Sequence, residues 1–237
     1  MITFFRRIRQ KLMTEHKIGK YLLYAIGEIF LVMIGILLAL QVNTWKIEKE
    51  NTVKEKTYLM GIKSDLIKDK GLILKLIPNN YESRVQLFHF TDSLVQNESE
   101  EIRNVPFEDI NHLYWPTRTF FPFVGTYSSL VSDNSTLYIT NTKLLHKIRE
   151  IYDIDYPRLN YVGLILDDTA EKIGWERRSD TRTKFANYTM NDYEQLFTDI
   201  NVMNGLVEYY LKKLNELVGK LDKCILAIEE ELEKTKN

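Results

Sequence analysis

"KYLLYAIGEIFLVMIGILLALQVN", residues 20–43, is apolar for long enough to cross a bilayer, yet it carries one acid, Glu28, near its start. As a helix, the stretch from Tyr21 to Val42 spans roughly 33 Å at about 1.5 Å per residue, against about 30 Å of hydrocarbon. Arg6, Arg7, Arg9, Lys11, Lys17 and Lys20 precede it, whereas Lys46, Glu48, Lys49, Glu50, Lys54 and Glu55 alternate in sign after it. The positive-inside rule keeps such an N-terminus in the cytoplasm and exports the chain beyond Asn43. Tyr21 and Tyr24 at one end and Trp45 at the other stand where amphipathic aromatics favour the membrane interfaces.

The same run could be a cleaved signal peptide. Its length exceeds an ordinary h-region and "LALQVN" lacks a small-x-small cleavage site, so the reading adopted is an uncleaved signal anchor. Phe5, Ile8 and Leu12 share one side of a possible helix, which suits a segment lying on the cytoplasmic leaflet; a basic tail that only fixes topology is the plainer alternative. The expected layout is a basic cytoplasmic segment over 1–20, a transmembrane helix over 21–42 and an extracytoplasmic domain over 43–237.

A carboxylate about 10 Å into the membrane costs about 2 to 3 kcal/mol and favours a protein or water environment over lipid. Gly35 and Ala39 fall on the face of Glu28, and small residues let helices approach closely. Glu28, Gly35 and Ala39 are therefore the candidate helix-pairing residues, with a membrane-protein partner or a second copy as the mate and membrane lipid around them. An idle, snorkelling carboxylate and an ion-coupling acid are the competing readings.

The rest of the chain is read as helical. Leu59, Ile62, Leu66, Ile73 and Ile77 follow a three-and-four spacing, and no Pro or Gly separates Val42 from Met60, so the spanning helix is expected to run on into the exported part. Pro78, Asn79 and Asn80 are expected to end it, with "YESRVQLFHFTDSLVQ" returning as a second helix. Leu144, Leu145, Ile148 and Ile151 mark a helix opened by Asn141 or Thr142. Tyr161, Leu164, Ile165 and Ile173 mark another beginning near Pro157. Asn191 with Glu194 resembles a capping box. From Leu206 to Leu232 a wide stripe through Tyr210, Leu214, Leu217, Leu221, Cys224 and Ile228 belongs inside a bundle, packed antiparallel to the first soluble helix. "TLYIT" is the one strand candidate, expected to be short or absent. The fold class is all-α: one N-terminal transmembrane helix followed by an extracytoplasmic helical bundle.

Chemistry is harder to find. Residues 1–42 hold six Lys or Arg against two Glu in a chain of net charge −1, so the remainder stands at −5 and nucleic acid is not an expected partner. Cys224 is alone, which rules out an intramolecular disulfide, and no P-loop, GxGxxG, GxSxG or HExxH occurs. His16, His89, His112 and His146 follow no ligand spacing. Asp153, Asp155, Asp167 and Asp168 lack the rest of a calcium loop, and Ser128, Ser129 and Ser132 have no base placed by sequence. No catalytic residue, metal or cofactor is assigned. "HLYWPTRTFFPFVGTY", residues 112–127, is aromatic and broken by Pro116, Pro122 and Gly125; Trp115, Phe120, Phe121 and Tyr127 line either a ligand or partner surface, or a cap on an open bundle end.

"FFRRIRQKLMTEHKIGKYLLYAIGEIFLVMIGILLALQVNTW" resembles the opening of a large family of uncharacterised single-pass membrane proteins of Bacteroidota, a domain of unknown function. "GTYSSLVSDNSTLYITNTKLLHKIREIYD" is similar to that family's central pattern, although "VSDNSTLYI" lacks a glycine often found there. The resemblance implies an inner-membrane anchor, a periplasmic helical body and a shared motif around Glu28, and it implies no activity. The leading expectation is a membrane-anchored periplasmic scaffold or interaction protein. A ligand-sensing bundle relaying to a membrane partner, and an anchored enzyme with an unrecognised site, are the alternatives.

Overall fold

The apolar spacing of Leu59, Ile62, Leu66, Ile73 and Ile77 requires a helix with one buried side, and all five are buried. They lie on or just beyond α1, Ile18–Leu76, in the computed structural model of the chain, which describes residues 18–115, 118–180 and 182–234. The amphipathic segment around Phe5, Ile8 and Leu12, His16, the side chains of Tyr21 and Tyr24, and Pro116 lie outside the described residues. By its contacts the chain separates into two units, one ending at Lys54 and one beginning at Glu55.

In the first unit, the large apolar side chains described between Leu22 and Val42 of α1 are exposed: Leu23 is 76% and Leu31 is 70% exposed. α1 belongs to one continuous helical run long and apolar enough near its N-terminus to cross a membrane. A core helix of a soluble protein passes the same length test with its apolar side chains buried, and here they are not.

In the second unit, Pro78 does not end the helix. The chain widens into a π-helical segment, Ile77–Glu82, and continues as α2, Ser83–Gln96, with right-handed helical dihedrals at both junctions. Proline lacks an N–H and crowds the carbonyl four residues back, and the wider turn relieves that conflict without reversing the chain. The Asn79 side-chain amide donates to the Lys75 carbonyl at 3.0 Å, satisfying a backbone acceptor within the widened turn. The expected helical return is thus absent, because the Pro-Asn-Asn signal was met by a change of helical pitch.

Short elements follow: a 3₁₀ turn at Glu100–Asn104, α3 at Phe107–His112, α4 at Gly125–Ser132 and a 3₁₀ turn at Ser135–Tyr138. "TLYIT" begins in that last turn, and no strand occurs among the described residues. Asn134 enters it at φ 54, a left-handed conformation that asparagine tolerates, so no glycine is needed there. α5, Thr142–Arg149, is capped by the Asn141 side chain accepting from Leu144 N–H at 3.1 Å. A second π-helical segment, Glu150–Asp155, leads into α6, Tyr156–Glu176. α7, Arg182–Phe185, precedes α8, Met190–Lys234.

On α8 the expected stripe is buried from Tyr210 to Ile228. Full burial of each Leu or Ile is worth about 1.5–3 kcal/mol, which outweighs about 1 kcal/mol of helix propensity lost at each of Gly205 and Gly219. Lys63 pairs with Glu229 at 2.7 Å and Lys70 with Asp222 at 2.5 Å, so α8 runs opposite to this part of α1. Farther on, His89 of α2 meets Glu208 at 3.0 Å, continuing the opposed order.

The α6 helix turns the other way from the sequence pattern. Tyr161, Leu164 and Ile165 face outward, while Leu159, Val162, Leu166, Ala170 and Ile173 are buried. Both sides of α6 are apolar, and the side with small Gly163 and Ala170 admits close neighbours. A Cβ built on Gly163 would lie 3.3 Å from Thr119 and 3.6 Å from Tyr210.

Candidate functional site

The irregular chain between α3 and α5 carries backbone groups that no helix of its own can satisfy, and those buried must find partners elsewhere. Helix α1 supplies acceptors. Glu55, Asp65 and Asp69 fall within the same arc of roughly 120° as Leu59, Ile62 and Leu66 at about 100° per residue, and all three are buried. Glu55 Oε1 accepts from Thr140 N–H at 2.8 Å and from its hydroxyl at 3.2 Å. Asp65 Oδ2 accepts from the Thr126 hydroxyl at 2.6 Å. Asp69 Oδ1 accepts from Phe123 N–H at 2.9 Å.

Donors come from the π-helical segment and α2. The Tyr81 hydroxyl donates to the Arg118 carbonyl at 2.7 Å. Arg84, 1% exposed, donates to the carbonyls of Trp115, at 3.2 Å, and Leu113, which closes the C-terminus of α3. A cation at a helix C-terminus meets the negative end of the helix dipole, which offsets part of its desolvation. Burial lowers the Arg84 pKa to about 10, so it stays charged near neutrality. Phe120 N–H donates to the Tyr210 hydroxyl of α8 at 2.9 Å, and burial pushes that phenol up to about 12.

Residues 113–115 and 118–123 are therefore a strap whose main chain is held by side chains of α1, α2, α8 and the first π-helical segment. Beneath it lies a tyrosine cluster. Tyr127 and Tyr152 stack with ring centroids 4.4 Å apart, and Tyr152 meets Tyr156 edge-on at 5.1 Å. The Tyr127 hydroxyl donates to Asp153 at 2.8 Å and the Tyr156 hydroxyl to Asp69 at 2.6 Å. The buried Tyr152 hydroxyl makes no hydrogen bond. Burial is the largest cause raising the pKa of Asp69 above its ordinary value, opposed by its bonds from Tyr156 and Phe123.

The aromatic residues singled out by sequence divide. Phe120 and Tyr127 are buried in the core, while Trp115 and Phe121 are 55% and 68% exposed. Glu28 is half-buried on α1, Gly35 and Ala39 are exposed on the same helix, and a Cβ on Gly35 would meet nothing within 4 Å. Three of the acids weighed as cation ligands are engaged otherwise: Asp153 accepts from the Tyr127 hydroxyl, Asp155 binds Lys220 at 2.9 Å, and Thr119 donates to Asp167 at 3.4 Å. No group of metal-ligating side chains occurs among the described residues. Ser128, Ser129 and Ser132 are exposed. Glu55, Asp65, Asp69 and Arg84 were not singled out, although the first three stand on the apolar arc of an evident helix.

A family model matches residues 28–193, from the membrane stretch through the strap and α6 to the first turn of α8. The chain belongs to the Family of unknown function (DUF6090). The match takes in Glu28 and the whole "GTYSSLVSDNSTLYITNTKLLHKIREIYD" stretch, and leaves the basic opening outside. The matched region of this chain spans the buried acids of α1, Arg84 and the strap they hold. No curated protein and no solved structure matches the chain.

Proposed function

We propose that this member of the family is a membrane-anchored scaffold or interaction protein, with its N-terminus in the cytoplasm and its helical body in the periplasm. The observation that carries the reading is the uncovered apolar surface from Leu22 to Val42, interrupted by Glu28. Apolar surface of that extent is covered by lipid or by another chain. The surplus of Lys and Arg before it sets the orientation. Glu28, Gly35 and Ala39 form the face that pairs with a second membrane helix, where a carboxyl group gains a hydrogen-bond partner that lipid cannot offer.

The body supports the non-catalytic part of the reading. Its most deeply buried charged groups, Glu55, Asp69 and Arg84, are hydrogen-bonded to the irregular chain between α3 and α5. Such groups fix a surface and hold it rigid for a partner.

The test is photocrosslinking in intact membranes from a probe placed at Gly35, in the native chain and in Glu28→Ala. A discrete adduct present in the native chain and lost in the variant is expected, with the protein retained in carbonate-washed membranes. An adduct pattern unchanged by the substitution refutes the pairing role, and release by carbonate refutes the anchor.

A further inference from the structure

We propose that the cleft between Trp115 and Trp175 binds an uncharged saccharide, a chain of pyranose rings. The cleft has a volume of about 730 Å³, within the range of about 300–1,000 Å³ typical of ligand sites. Two of its lining side chains are indoles, 55% and 69% exposed, a large aromatic surface left to solvent. Its floor is Ala170 and Gly174, and the Trp115 ring lies 3.9 Å from where a Gly174 Cβ would be. The Trp115 ring therefore packs over Gly174, and a ligand meets its outer, solvent-facing surface.

Trp175 and the backbone that carries Trp115 are held before any ligand arrives. The Trp115 carbonyl accepts from buried Arg84, and its N–H donates to the Asn111 carbonyl at 3.1 Å. Trp175 is held by Arg178, whose guanidinium lies 4.4 Å from the ring centre and donates to the Trp175 carbonyl at 2.6 Å. The guanidinium occupies one face of that indole. Rigid walls lower the ordering cost of binding.

The rim decides the ligand class. Asp168 and Glu171 offer acceptors, and Lys172 and Arg178 offer donors, so two negative charges are balanced by two positive ones. A net anion or cation is not favoured by such a rim. A pyranose is: its axial C–H faces stack on indole, while its hydroxyl edge donates to carboxylates and accepts from cations at once. An aromatic ligand would use the walls and leave the charged rim unpaired. This assignment stands whether or not the membrane helix pairs.

The experiment uses the full chain in detergent with Trp45→Phe, which removes the one tryptophan outside the cleft. Tryptophan emission is followed against β-1,4-linked tetrasaccharides of glucose and of N-acetylglucosamine, and against maltotetraose. A saturable shift with at least one of them is expected, insensitive to salt and weakened at least tenfold by Trp175→Ala and by Trp115→Ala, each of which leaves the other indole as the reporter. Absence of a shift with all three overturns the proposal. So does a shift that survives both substitutions. Saturable binding of an apolar dye without any saccharide response also overturns it, and marks the cleft as a docking face for protein.

Discussion

The Tyr156 hydroxyl donates to Asp69 Oδ2 across 2.6 Å, joining the first residue of α6 to α1 at a carboxylate with no exposed surface. The other oxygen of Asp69 holds Phe123 N–H, so one side chain fastens two helices and the strap. Truncation to alanine leaves two buried donors without acceptors, at about 1–3 kcal/mol each, and a loss of about 2–4 kcal/mol is expected for Asp69→Ala. Chemical denaturation of the full chain in detergent measures it.

The charge of Asp69 has its own signature. Burial raises its folded pKa above the unfolded value of about 3.9. Stability from this group is therefore fully present below the unfolded pKa and is lost as pH rises through the folded one. Asp69→Asn retains an acceptor for Phe123 N–H and cannot ionise. Relative to that variant, the native chain should gain stability as pH is lowered from 7 toward 4. Taking the difference cancels the carboxylates common to both proteins, such as Glu231, whose pKa is lowered by its bond from Asn141. A flat difference profile, or one of opposite slope, contradicts the assignment.

Two neighbouring tyrosines should respond differently to the same substitution. Tyr156→Phe removes a donor from a buried carboxylate and should destabilise by about 1–3 kcal/mol. Tyr152→Phe removes a buried hydroxyl that makes no hydrogen bond, and should be neutral or stabilise by up to about 1 kcal/mol. Thermal melts of the two variants side by side decide the matter. Equal losses would mean that the Tyr152 hydroxyl has a partner in solution.

Glycines on α1 separate conformational preference from packing. Ala in place of Gly in a helix gains roughly 0.5–1 kcal/mol where space allows. Gly71 has nothing within 4 Å of an added Cβ, so Gly71→Ala should stabilise by about that amount. At Gly61 the Cβ would stand 2.7 Å from Thr126 Cγ2, and Thr126 cannot turn away without giving up its 2.6 Å bond to Asp65. Gly61→Ala should therefore destabilise. Thr126→Ser keeps the hydroxyl, deletes the clashing methyl and should restore stability in the double variant, read as a non-additive term in a double-mutant cycle.

How much of this was legible in the sequence depends on how local the deciding contact is. The stripe from Tyr210 to Ile228 could be read because helical periodicity alone places it, and the Asn141 cap because its bond closes over three residues. The buried face of α6 could not. Tyr161, Leu164 and Ile165 are as apolar as Leu159, Val162 and Leu166, and the choice rests on the room that Gly163 leaves for Thr119 and Tyr210, far away in sequence. Pro78 misled because a π-helical turn removes the steric conflict from which a helix end is inferred. The strap's holders were hidden for a further reason. A charged residue on an apolar arc reads as a solvated interruption until the chain that covers it is known.

The start of α8 offers the sharpest test of a corrected local reading. Asn191 and Glu194 have the spacing of a capping box, but the helix begins at Met190, two residues earlier than that pair requires. The reciprocal bonds are made by Thr189 and Asp192: Thr189 N–H donates to Asp192 Oδ2 at 2.8 Å, and Asp192 N–H donates to the Thr189 hydroxyl at 3.3 Å. Aspartate replaces the usual glutamate at the third position, and its carboxyl is held below the ordinary range first by a bond from the Thr189 hydroxyl at 2.6 Å and then by that from Thr189 N–H. Loss of a capping Thr costs about 0.5–2 kcal/mol, so Thr189→Ala should lower stability by about 1 kcal/mol. Asn191→Ala, inside the helix and exposed, should change it by less than about 0.5 kcal/mol. Hydrogen exchange at Asp192 and Tyr193 should rise in the first variant and not in the second; the reverse order would move the cap to Asn191.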